Sequence, residues 1–295
     1  ALRLVGSEMC IRDRHKTHIA LKDHFVTGKS FELLVDPSLD LLYTYPKPSD
    51  LDLKSYYPAK GYISHTNQLK SLIDILYHTV RFFSLKRKVK LIGPLKINTG
   101  SLLDVGAGTG DFIRVAKKAG WHARGVEPDS AAREIANSKT NGSVYGEKML
   151  SSFPAASFDV ITLWHVLEHL PNLEEDIKIF KKLLSPNGRI IVAAPNFKSY
   201  DARYFKSFWA AYDVPRHLWH FSKDSISNVF SRAKMSLEST HPMLMDAYYV
   251  SMLSNKYKTG SHKILRSLYT GFISNLKALK TGEYSSLIYV LKNDP

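Results

Sequence analysis

Ser101 to Phe112, SLLDVGAGTGDF, is the stretch that decides the fold. Leu102 to Val105 reads as a buried strand carrying one carboxylate, Asp104. Gly106, Gly108 and Gly110 follow at alternate positions, and Asp111-Phe112-Ile113 opens an apolar helical pattern. Glycines let the backbone turn tightly and let a ligand lie against it. The free N–H groups of the helix start that follows can bind ligand oxygens. Strand, glycine turn and helix start together predict a nucleotide-sized site, in which Asp104 fixes the turn or catches a ligand amine. The dinucleotide fingerprint is G-x-G-x-x-G, whereas this loop, Gly106-Ala107-Gly108-Thr109-Gly110, is G-x-G-x-G. Both ligand classes place an acid after the second strand to hold ribose hydroxyls. Here that acid is Glu127, followed by Pro128 in GVEPD, twenty-one positions past Gly106.

With loop and acid in place, the chain resembles class I S-adenosylmethionine-dependent methyltransferases, of the bacterial small-molecule type. The resemblance covers residues 98–197 and rests on four motifs in register: the glycine loop, GVEPD, FDVI at Phe158 to Ile161, and LLSPNGRIIV at Leu183 to Val192. It implies an α/β fold: a Rossmann-like doubly wound sheet, mostly parallel, with an antiparallel last strand at its edge and helical additions at both ends. It implies S-adenosylmethionine as cofactor and a small-molecule acceptor, methylated at O or C: a sugar, quinone-like or lipid-linked compound. Trp164 and His165 would line the methionine end, the Gly106–Gly110 loop with Asp104 would seat the amino-acid end, and Glu127 the ribose. Adenine is expected near Gly146 to Met149.

The alternation of patterns agrees. Strands are expected at 102–105, 121–127, 143–145, 158–164 and 189–194, with helices at about 110–119, 130–138 and 173–184. Ser185 to Gly188 reads as a turn. Beyond residue 198 a strand at 234–240, helices at about 243–256 and 262–280, and a closing strand at 284–291 are expected.

At 295 residues, 44% apolar and 23% charged, the chain has an ordinary globular composition. It lacks an apolar run long enough for a transmembrane helix, and the expected compartment is the cytoplasm. The net charge of +14 admits nucleic acid, an anionic membrane surface or an acidic substrate, and equally a solvated lysine surface without a partner. Ala1 to Arg14 shows no period. LVGSEMCIRDR within it resembles a translated sequencing-library adaptor, so it is set aside as a non-native scar. Cys10, the only cysteine, goes with it.

Residues 15–65 read as an irregular segment of short apolar pieces broken by Asp36-Pro37, Tyr45-Pro46, Pro48 and Tyr57-Pro58. Relatives carry a small cysteine-paired zinc module here, leading into P-x-P and YY…Y-x-SH. The latter text is present at Pro46 to Pro48, Tyr56-Tyr57 and Tyr62 to His65. Where the Cys-x-x-Cys pair would fall stands Val35-Asp36-Pro37-Ser38, so a degenerate remnant without metal is expected. Residues 66–97 read as a basic amphipathic helix, with seven basic residues and one acid, Asp74, between Thr66 and Lys96. Such a helix binds an anionic membrane surface or packs on its own domain; packing is the reading taken.

His165-Val166-Leu167-Glu168-His169 spells H-x-x-E-H, a zinc-peptidase spacing. Directly after a buried strand it is read instead as the cofactor-facing loop, with Glu168 and His169 fixing the loop or capping the next helix. Tyr204 to Phe221, YFKSFWAAYDVPRHLWHF, holds seven aromatics, and relatives carry a similar D-x-P-x-H-x-x-x-F pattern, matched by Asp213, Pro215, His217 and Phe221. It is the expected substrate wall, with Tyr212, Asp213 and Trp219 facing the acceptor and His217 taking its proton. Aromatic faces attract a sulfonium and exclude water. The alternative is a packed aromatic segment with a structural histidine. Two rival functions differ in kind: a non-catalytic protein on this fold that binds nucleic acid or an anionic membrane, and a nicotinamide-dependent oxidoreductase. The loop spacing disfavours the second. Against the first, no basic run interleaved with aromatics marks a nucleic-acid path; an RNA acceptor stays open.

Overall fold

The computed structural model describes residues 16–57, 85–93 and 100–294. The first of these stretches is not irregular. Its short apolar pieces are three antiparallel strands, β1 (Thr17–Lys22), β2 (Ser30–Asp36) and β3 (Leu41–Tyr45). Phe31, Leu33, Leu41 and Leu42 are buried, and of the apparent breaks Asp36-Pro37 opens the turn between β2 and β3. The Asp23 carboxylate accepts backbone N–H groups from Phe25, Val26 and Thr27, and Asp36 accepts from Ser38. Such Asx turns substitute a side-chain oxygen for a backbone acceptor.

The main sheet begins at β4 (Ser101–Val105) and alternates with helices: α1 (Asp111–Lys118), β5 (His122–Val126), α2 (Ser130–Thr140), β6 (Val144–Tyr145), β7 (Phe158–Trp164), α3 (Leu173–Leu183) and β8 (Leu184–Pro195). Next come α4 (Tyr200–Phe205), β9 (Trp219–His220), α5 (Lys223–Arg232), β10 (Met235–Pro242), α6 (Asp246–Thr259), α7 (Ile264–Thr281) and β11 (Ser286–Asn293). Strand order is β10-β11-β8-β7-β4-β5-β6. β4 to β8 run parallel, and β11 is antiparallel to both neighbours. The Rossmann-like sheet is therefore as expected, with one correction: the antiparallel last strand lies inside the edge, which β10 forms. Burial explains the placement. Ser286 to Leu291 is a continuous buried run, whereas β10 is mostly half-exposed, and a strand buried on both faces belongs between partners.

Successive strand residues face opposite layers. Leu103, Ile161 and Ile190 join Ile177 and Phe180 of α3 and Phe230 of α5; Leu102, Val160 and Ile191 join Phe112 and Ile113 of α1 and Ala136 of α2. Each fully buried Leu, Ile or Phe is worth about 1.5–3 kcal/mol. The predicted Ser185–Gly188 turn lies within β8 as a bulge, because pairing with β7 jumps from Leu184 to Arg189. Of the expected basic helix, residues 85–91 are helical and Leu85, Val89 and Ile92 pack on the α1 side of the sheet. Its remainder, the scar, and Tyr62 to His65 lie outside the described residues. β9 pairs with β3, extending the N-terminal sheet to four strands. The N-terminal strands and the segment around β9 thus share one sheet.

Candidate active site

The turn after β4 is tied to the end of β5: the Gly106 and Ala107 N–H groups both donate to Val126 O, at 2.9 and 3.0 Å. Gly106 and Gly108 have φ of +69° and +51°, the left-handed region that glycine adopts without strain. A Cβ on Gly106 would lie 2.4 Å from Val166 Cγ2, so the β7 loop closes directly over this residue. A Cβ on Gly108 would meet nothing within 4 Å; it would project into open space at the strand ends. Gly110 caps α1 in the same left-handed conformation.

Glu127 reaches into this turn. Its Oε2 accepts Gly108 N–H at 2.8 Å and its Oε1 accepts Asp129 N–H at 3.0 Å. Burial raises its pKa, and these two hydrogen bonds oppose that. Pro128 is exposed beside it, its carbonyl accepting from Arg133. Asp104 sits beneath the turn with 2% of its surface exposed. It accepts the Thr162 hydroxyl at 2.6 Å, joining β4 to β7, and burial pushes its pKa up to about 7. The geometry is that of a support for the turn.

Trp164 closes one side, its ring edge-on to Phe112 and the Lys88 ammonium 4.3 Å from its centroid. His165 follows at φ +57°. Its Nδ1 is 3.3 Å from Glu168 Oε1, and its Nε2 is 3.3 Å from Asp246 Oδ2 at the start of α6. Burial disfavours the imidazolium, but the two carboxylates outweigh it and hold the pKa up at about 9. Burial works against the Glu168 carboxylate too, and the neighbouring imidazoles bring it down to about 2. Asp246 carries no sequence signal; only the fold delivers it.

The DVPRH segment divides in two. Asp213 forms a two-point pair with Arg216, at 2.9 and 2.6 Å. Arg216 also donates to Asp23 Oδ1 and Tyr56 O, which locks the segment to the N-terminal sheet. Tyr212, 3% exposed, packs on Trp209 and His220, and burial raises its pKa. The aromatic run is thus mainly the core of the smaller sheet: Phe205, Trp209 and Tyr212 are buried against it, while Phe221 joins the core of the main sheet. Tyr212 is a core residue of the three N-terminal strands, which find their apolar partner in this run, and Asp213 is engaged with Arg216. Trp219 donates Nε1–H to Leu170 O, and the Leu218 N–H donates to Glu168 O, so the β7 loop and β9 are joined.

His217 does come to the β7 loop. Its ring is edge-on to His169 with centroids 4.5 Å apart. His217 Nδ1 lies 2.9 Å from Ala211 O, and His169 Nδ1 lies 2.9 Å from Arg216 O. A carbonyl only accepts, so both Nδ1 atoms carry protons and each neutral ring has its lone pair on Nε2. Burial and His217 together push the His169 pKa down to about 4. Glu168, His169 and His217 each bring one donor atom within 4.8 Å of the others, a set with metal-ligand chemistry. It is not the zinc-peptidase set, since His165 is engaged with Asp246 and the third member comes from the distant DVPRH segment.

A family model described as a methyltransferase domain matches residues 77–239, more than half of the chain. A protein of Bacillus licheniformis named an uncharacterized methyltransferase is 35% identical over 106 residues, 34% of this chain and 50% of that one. The demethylmenaquinone methyltransferase of Thermotoga maritima is 28% identical over 137 residues, 44% and 58% of the two chains. The chain spans about half the length of the first curated relatives it matches. Geranyl diphosphate C-methyltransferase from Streptomyces coelicolor A3(2), solved with Mg2+, geranyl diphosphate and S-adenosyl-L-homocysteine, superposes with a TM-score of 0.52. That match covers 77% of this chain and 86% of that one at 12% identity, a likeness of fold. The sheet order, the glycine turn with its acid and the matched span agree: this chain belongs to the methyltransferase domain family, on the Rossmann-like fold of S-adenosylmethionine-dependent enzymes.

Proposed function

We propose that the chain transfers a methyl group from S-adenosylmethionine to an oxygen or carbon of a small-molecule acceptor. The observation that carries this is the Glu127–Gly108 contact, which sets an acid beside a backbone turn facing open space. The residues fit the cofactor: a side chain at Gly108 would fill that space, and a carboxylate with two acceptors in use has lone pairs left for ribose hydroxyls. Gly106, Ala107, Gly108 and Gly110 would hold the amino-acid end with Asp104 bracing the turn, Glu127 and Pro128 the ribose, and Trp164 and His165 the sulfonium side. When bound, the cofactor supplies an activated methyl group with a neutral thioether as leaving group.

What this chain must add is alignment, exclusion of water and a place for the acceptor's proton. His217 is that place. Its Nδ1–H is committed to Ala211 O, which leaves Nε2 to take the proton from an acceptor hydroxyl. The buried Glu168 carboxylate, whose own pKa is lowered in part by attraction to His217, sets an opposite charge near the ring that takes the proton. His169, held neutral, gives the acceptor a second polar contact without competing for the proton. Labelled methyl transfer from S-adenosylmethionine into the small-molecule fraction of a cell extract tests the proposal. Label should be incorporated by the wild-type chain and lost in Glu127→Ala; label recovered only in RNA would move the acceptor class.

A further inference from the structure

Helix α7 is built inside out. The face it turns to α6 and α4 carries Ser267, Thr270, Gly271, Ser274 and Ala278, all buried. The face it turns outward carries Leu265, Leu268, Tyr269, Phe272, Leu276 and Leu279, all exposed, with Leu265 at 84% and Leu279 at 72%. A water-facing helix shows the reverse pattern. The α6–α7 contact is a small-residue, hydrogen-bonded one. A Cβ on Gly271 would come 2.9 Å from Tyr248 Cα, so the backbones approach closely. Asn255 Nδ2 of α6 donates to Ser267 Oγ at 2.8 Å, and on the α4 side Ser274 Oγ donates to Asp201 Oδ1 at 2.7 Å. Small residues and side-chain hydrogen bonds hold helices together where apolar side chains gain nothing by turning inward, as in lipid.

Charge singles out the kind of surface. From Ala247 to Gly282 the sequence has no acid, and it has six basic residues: Lys256, Lys258, Lys263, Arg266, Lys277 and Lys280. All six are exposed, at the ends of an apolar face where long side chains extend to a headgroup layer. No described helix is long and apolar enough to cross a membrane, so the hairpin lies along a surface. We propose that the α6–α7 hairpin docks on an anionic lipid bilayer, its Leu/Tyr/Phe face in the headgroup–acyl boundary and its Lys and Arg on lipid phosphates. The basic helix before β4, by contrast, packs on the sheet at Leu85, Val89 and Ile92, as expected of it. Docking is independent of the methyl-transfer reading. It does set the surface beside the site, since Asp246, which opens α6, contacts His165.

Flotation of the full chain with vesicles tests this, using phosphatidylcholine alone and phosphatidylcholine mixed with phosphatidylglycerol. Binding should be at least about tenfold stronger to the mixed vesicles and weaken in high salt. It should be lost in the triple variant Leu265→Asp, Phe272→Asp, Leu279→Asp, with the far-ultraviolet circular dichroism and thermal transition retained. No binding to the anionic vesicles, or binding that the triple variant leaves intact, would overturn the proposal. So would a lipid-free dimer that the variant converts to monomer without any vesicle binding, since a second copy would then cover the face.

Discussion

Glu127 and Gly108 are joined across the mouth of the sheet by a 2.8 Å hydrogen bond, from the loop N–H to the carboxylate. The bond binds the end of β5 to the turn after β4, the two places where the family frame puts ribose and amino acid. The acid and the glycine turn therefore act as one preformed unit.

Gly106 and Gly108 should fail differently when replaced by alanine. At Gly106 the new methyl would press on Val166 at a positive φ, so Gly106→Ala should cost about 1–3 kcal/mol of stability. Adding Val166→Ala should recover part of it. At Gly108 only the φ is unfavourable, about 1–2 kcal/mol. Gly108→Ala should thus stay folded while losing cofactor affinity. Denaturation midpoints and cofactor titration of the three variants check this.

Asp104 titrates late because it is buried. Its folded pKa lies above its ordinary 3.8, at about 7, so the folded chain holds this proton where the unfolded chain has released it. The stability it contributes is full below about pH 4 and falls as pH rises to about 7, by at most about 1.4 kcal/mol per pH unit. Asp104→Asn keeps an acceptor for Thr162 and has no such proton. Against wild type, its stability should therefore rise progressively from pH 4 to 7 in urea unfolding; a constant difference would contradict the burial argument.

If His217 takes the acceptor's proton, His217→Ala should lower kcat by about 100-fold or more and leave cofactor affinity unchanged. Activity should survive dialysis against a chelator. Activity lost on chelation and restored by a divalent transition metal would instead make His217, His169 and Glu168 ligands of an ion, and His217 could then not be the base.

The parallel core was legible because its signals are local. The apolar runs at Leu102 to Val105 and Phe158 to Trp164, and the helix face at Leu173, Ile177 and Phe180, each declare their period within one element. The N-terminal sheet was not legible, since its strands are short and it is completed by β9, which meets β3 across some 170 residues: Thr44 donates to His217 O. The same distance hid what the aromatic run does. Tyr212 looked like a wall because aromatics can serve as one, and it became core because three strands lacked a partner. The H-x-x-E-H spelling did bring Glu168 and His169 to the site, while Asp246 arrives there only through the packing of α6.

The most direct measurement is calorimetric titration of the purified chain with S-adenosylmethionine, S-adenosylhomocysteine and NAD. Loss of one charged hydrogen-bonding group is worth about 1.5–3 kcal/mol, about tenfold to a hundredfold in affinity. The expected result is binding of the first two ligands, weakened by that factor in Glu127→Ala, and none of NAD. Binding of NAD alone, or Glu127→Ala binding S-adenosylmethionine as tightly as wild type, would contradict the account.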